Sequence, residues 1–135
     1  MLYVRGSSAA VITSQTINNN AQQTGVVDNT SALELWDQVE AIVTMGTSVT
    51  TGAPWVLYLV PHSTNDSNAG DVLTPPQSVY VVAQWPANSG TAAQRFTMHG
   101  ISIPPGQFTY VLSNQTGQNS SATSCTLNRR PYHVA

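Results

Sequence analysis

Short apolar runs rich in Val, Ile, Tyr, Phe and Trp recur along the chain, separated by clusters of Gly, Pro, Asn and Ser. The clearest pattern lies in LELWDQVEAIVTM. There Leu33, Leu35, Val39, Ala41, Val43 and Met45 share one parity, while Glu34, Gln38, Glu40 and Thr44 share the other. A period of two is the mark of a half-buried strand, whose side chains point to alternate faces. Asp37 is the one misfit on the apolar face. Leu35, Trp36, Val39, Ile42 and Val43 also match helical spacing, but the flanks DNTS and GTSVTTG are turn material and favour a strand.

PWVLYLV is apolar on both faces and reads as a central strand of a sandwich. LYVR, AAVITSQTI, SVYVVAQW, AQRFTMHGISI and FTYVLSN read as further strands, and the C-terminal CTLNRRPYHVA offers one more short strand before Pro131. NNNAQQTG is a polar connector and HSTNDSNAGDVLTPPQ a loop. PPGQ predicts a tight turn, with Pro105 presetting φ and Gly106 supplying a positive φ. About eight strands at this spacing, without a helix, predict one all-β domain: an antiparallel β-sandwich, jelly-roll-like, with extended N- and C-terminal arms.

Charge changes the picture by its scarcity. Charged residues make up 7% of the 135 positions, against about 25% in a typical soluble protein. There is no lysine, and Arg129 and Arg130 are two of only four basic residues. Ser, Thr, Asn and Gln keep the surface hydrated instead. A net charge of −2 gives no electrostatic reason to visit DNA, RNA or an anionic membrane. No run approaches the length of a membrane span, and the first residues lack the apolar core of a signal peptide, so synthesis in a cytoplasm is expected. The Asn-x-Ser/Thr sequons at Asn29, Asn65, Asn114 and Asn119 then arise by chance in an Asn- and Thr-rich chain. Cys125 stands alone and reads as a small buried core residue.

Candidate chemistry is thin. His62, His99 and His133 are too far from each other and from Cys125 for the usual zinc spacings. DSNAGD, Asp66 to Asp71, faintly resembles a calcium loop, but Gly70 and Asp71 stand where the pattern needs an Asx and a glycine. Asp28, Glu34, Asp37 and Glu40 form an acidic cluster. On a strand Glu34 and Glu40 share a face about 20 Å apart, too far for a glycosidase pair. No Gly-rich loop precedes a helix, so phosphate binding has no support. The expectation is no enzyme, no cofactor and no metal. Trp36 and Trp55 sit in apolar runs and are expected in the core. Trp85 lies at a strand end beside a turn, so it and Tyr80 are the candidates for a glycan- or receptor-binding face.

The region from Val79 to Tyr132 carries an AQR strand (Ala93 to Arg95), a PPG turn (Pro104 to Gly106), an aromatic strand running into N-x-TGQ (Phe108 to Gly117) and a closing TLNRRPY (Thr126 to Tyr132). In this it resembles a group of small structural proteins encoded in the morphogenesis regions of tailed bacteriophages. Cys125 stands where that pattern usually has Asn. The resemblance implies a virion component, of the kind that oligomerises as dimer or trimer and binds the major capsid protein as cement or decoration on the outer capsid surface. Arg129 and Arg130 are then candidates to pair with carboxylates on a neighbouring subunit, including those of Glu34 to Glu40, with Leu127 and Tyr132 adding apolar contact. Arg5 marks a second candidate arm.

Overall fold

The computed structural model describes residues 2–49, 52–62 and 73–134. Their strands are β1 (Tyr3–Arg5), β2 (Ala9–Gln15), β3 (Gln22–Asp28), β4 (Trp36–Val43), β5 (Pro54–Pro61), β6 (Val81–Pro86), β7 (Gln94–Ser102), β8 (Gln107–Asn114) and β9 (Cys125–Val134). A folded-over ribbon generates the architecture. β5 pairs with β6, β4 with β7, β3 with β8 and β2 with β9, all antiparallel. Rolling that ribbon brings β4 against β9 and β5 against β8. Two sheets result: β1–β9–β4–β7, with β2 also on β9, and β3–β8–β5–β6. Two packed antiparallel sheets make the β-sandwich expected from the sequence, and their strand order is that of a jelly roll, with β1 as an additional short strand.

The sheets meet through alternate side chains. Val39, Ala41 and Val43 of β4 and Leu127 of β9 face Trp55, Leu57 and Leu59 of β5 and Phe108, Tyr110 and Leu112 of β8 in one buried cluster. Each such side chain contributes on the order of 1.5–3 kcal/mol by leaving water. The alternation expected for β4 holds, with Asp37 fully buried on the apolar face. β5 is buried on both faces: Val56, Tyr58 and Val60 form a second cluster with Val111, against which Tyr80 and Val81 pack.

Two contacts close the sides of the sandwich. Trp85 of β6 stacks on Phe96 of β7 with centroids 5.7 Å apart and planes at 9°. On the other side β3 passes so close beneath β2 that a Cβ on Gly25 would lie 2.4 Å from the Val11 carbonyl oxygen. Only glycine permits that approach.

Several expectations need correction. β4 begins at Trp36; Leu33 has φ 49° and, like Leu35, is exposed. The connector NNNAQQTG contributes Gln22–Gly25 to β3, a sheet-edge strand that needs few apolar residues. Ser78–Tyr80 is a single 3-10 turn before β6. Gly106 has no positive φ; the PPG turn is held instead by Asn29, whose side chain donates to the Pro104 carbonyl and whose backbone N–H donates to that of Gly106. The positive φ falls at Gly100, where His99 and Gly100 together oppose Gln38 in a β-bulge.

The tail is not an arm. Residues 125–134 form β9, the longest strand, flanked by β4 on one side and by β2 then β1 on the other. Pro131 does not end it. The Pro131 carbonyl accepts from the Gly6 N–H at 2.7 Å. Its missing N–H therefore points to the seam where the neighbour changes from β2 to β1, so no ladder bond of β4 is lost. Tyr3–Arg5 is likewise ordered in the sheet, on β9.

Candidate functional site

The pairing of β4 with β9 decides where each charge goes. Val39 opposes Arg129 and Asp37 opposes Pro131, so Asp37 and Arg129 are diagonal neighbours on the inner face. Arg129 donates from Nε to Asp37 Oδ2 at 2.9 Å and from a terminal nitrogen to Asp37 Oδ1 at 2.8 Å. The same terminal nitrogen reaches Glu34 Oε2 at 2.6 Å. From the opposite sheet the Tyr110 hydroxyl donates to Asp37 Oδ2 at 2.6 Å. Asn29 sets Glu34 in place: its side-chain oxygen accepts the Glu34 N–H and its amide nitrogen donates to the Glu34 carbonyl.

Every group in this cluster is compensated. Burial alone would lower the Arg129 pKa, but hydrogen bonds and charge from Asp37 and Glu34 outweigh it and raise it. Burial pushes the Tyr110 phenol well above its ordinary value near 10, and the adjacent Asp37 charge adds to the shift. The arrangement locks both sheets together at one end. It leaves Arg129, Glu34 and Asp37 unable to serve a neighbouring subunit, so the sequence expectation for these three is revised. Leu127, fully buried, belongs to the core and not to an interface.

The opposite parity faces outward. Gln38 opposes Arg130, Glu40 opposes Asn128, and Trp36 opposes Tyr132, which in turn opposes Arg5. Glu40 is paired with Arg95 of β7 at 3.1 Å. Arg5 and Arg130 enter no ion pair among the described residues. They line a groove of about 170 Å³ with Ser8, Gln38, Glu40 and Asn128. Beside it Tyr3, Trp36 and Tyr132 form an aromatic row, with centroids 4.9 Å and 6.0 Å apart. Trp36 is therefore half-exposed on the outer face and not in the core, unlike Trp55, which is fully buried as expected.

Val134 continues the row on this face, because it is the register partner of Tyr3; the two are exposed by 41% and 52%. Gln38, Asn128 and Tyr3 escaped the sequence reading. For Gln38 and Asn128 the signal was parity with Arg130 once strands were paired.

Other candidates lie apart. Trp85 is buried, stacked on Phe96, and donates its indole N–H to the Thr97 carbonyl. The exposed ring that a stacked sugar needs is absent there, and Tyr80 packs on the second cluster. His62 Nε2 bonds Thr109 Oγ1 at 2.7 Å, and His99 is exposed on the β7 bulge. Asp66–Asp71 lies outside the described residues. Among the described residues no three His, Cys, Asp or Glu side chains gather as a metal site would need, and no helix is long and apolar enough to cross a membrane. Asn29 and Asn114 are fully buried; Asn114 accepts from Thr116 and donates to the Ile17 and Gln118 carbonyls. Cys125 is buried, which raises its thiol pKa. No protein-family model matches the chain, and no curated protein matches its sequence.

Proposed function

We propose that this jelly roll is a non-enzymatic structural component of a tailed-phage particle. It self-associates and binds the major capsid protein on the outer shell as a cement or decoration protein. The observation that carries the reading is the outer face of the β1–β9–β4–β7 sheet: two arginines in no ion pair among the described residues, beside an aromatic row that ends in the exposed Val134. Scattered exposed apolar residues are ordinary, but a cluster bordered by polar groups marks a contact surface. Tyr and Arg are the residue types that interfaces favour. The resemblance of Val79 to Tyr132 to phage morphogenesis proteins supports the setting.

The rest of the molecule suits that role. A rigid two-sheet scaffold holds the face flat, and the lysine-free surface limits repulsion between copies packed at high local density. Burying neutral Ser, Thr, Asn and Gln in a contact costs less than burying unpaired ions. The test is reconstitution. Purified protein added to shells that lack it is expected to co-sediment with them and to raise their resistance to heat and low ionic strength. Shells that stay equally fragile with the protein added would refute cementing.

A further inference from the structure

We infer that the groove between Arg5 and Arg130 is a carboxylate site, built for an acidic segment of a partner protein. The inference rests on the outer face being a contact surface, but not on the partner being a capsid.

Arg5 opposes Tyr132, two residues from Arg130, so the two guanidinium-bearing residues are diagonal neighbours on one face. Cations at that spacing repel each other, and neither enters an ion pair among the described residues. The chain holds few acids, and those nearby are already engaged. Glu34 and Asp37 are held by Arg129, and Glu40, which also lines the groove, is held by Arg95. Asp28 receives the Thr30 N–H and hydroxyl in its own turn. The described residues thus supply no compensating anion, and the site is left for one brought by another molecule.

The surroundings choose its type. Ser8, Gln38 and Asn128 supply neutral hydrogen-bonding groups around the two forks, suited to a planar carboxylate taken by bidentate arginine. The adjoining row of Tyr3, Trp36 and Tyr132, continued by Val134, offers apolar contact to residues flanking that carboxylate. A free inorganic anion would use the arginines and ignore the row. A peptide carrying glutamate beside leucine would use both.

The experiment follows the arginine side-chain N–H resonances of the full chain by NMR during titration with a capped hexapeptide of alternating glutamate and leucine. The glutamine version of that peptide and inorganic phosphate serve as comparisons. Saturable shifts at Arg5 and Arg130 with the glutamate peptide alone are expected. Arg130→Gln and Arg5→Gln should each weaken binding at least tenfold. Equal response to phosphate, no saturation, or full binding by Arg130→Gln would overturn the site. A second arm separates this from the virion reading. Shells that bind wild type and Arg5→Gln/Arg130→Gln alike, with no binding of the glutamate peptide, would reject the groove and keep the cement role; a peptide that binds a protein ignored by shells would do the reverse.

Discussion

Asp37 has both carboxylate oxygens on the Arg129 guanidinium, at 2.8 and 2.9 Å, although the two residues are 92 positions apart in sequence. Asp37 is fully buried and the Arg129 side chain is 12% exposed. Removing one partner of such a pair leaves an uncompensated buried charge. Arg129→Ala is expected to cost about 3–5 kcal/mol in denaturant unfolding, enough to threaten the fold. The adjacent Arg130→Gln, on the outer face, should cost about 0.5 kcal/mol or less. The double replacement Asp37→Leu/Arg129→Met should recover only part of the loss, since it removes the buried pair but leaves Glu34 without its arginine and the Tyr110 hydroxyl without its acceptor.

Tyr110 gives the cluster a pH signature. Its phenol loses a proton near pH 10 in the unfolded chain but holds it well above that when folded. The folded state then binds more protons than the unfolded one above pH 10. Stability from this group is fully present below pH 10 and falls as pH rises beyond it, by about 1.4 kcal/mol per pH unit. Tyr110→Phe should cost about 1.5–3 kcal/mol at neutral pH, the range for a hydrogen bond to a charged group. It should also flatten the alkaline decline, as read from unfolding curves between pH 7 and 11.

Gly25 is a tight steric point between β2 and β3. A methyl there would meet the Val11 side chain at 2.3 Å and its carbonyl oxygen at 2.4 Å. A backbone atom cannot rotate away, so β2 must shift. Gly25→Ala should destabilise by the upper part of the 1–3 kcal/mol range for overpacking, seen as a lowered Tm. Gly52→Ala tests the alternative cause: no atom lies near it, but its φ of +100° makes any side chain strained.

Cys125 is expected to ignore an aromatic disulfide reagent in the native protein and react fully once unfolded. Burial raises its thiol pKa, so little thiolate exists at neutral pH, and the sulfur has no path to solvent. Rapid native labelling would show that β9 opens away from β2.

Strand parity made much of this legible before any pairing was known. The alternation around Asp37 identified both the strand and its one buried charge, because a sheet side chain can only point to one face or the other. What parity does not hold is the identity of the neighbouring strand. That Arg129, and not Arg130, would reach Asp37 depends on β4 lying beside β9, a long-range pairing without a local signal. Trp36 was misplaced for a related reason: its apolar character suggested the core, although its parity matched Glu34 and Glu40. Trp85 was misjudged because a turn follows it. Its ring points inward onto Phe96, so Trp85→Ala should cost about 3–5 kcal/mol and would not isolate a surface role.

On the proposed function, this jelly roll sits on the capsid and contacts it. Gold-labelled antibody against the protein, imaged by electron microscopy on intact particles, tests that directly. Label distributed over the head is the expected result. Label confined to tail tips or fibres, or absent from every particle, would contradict it.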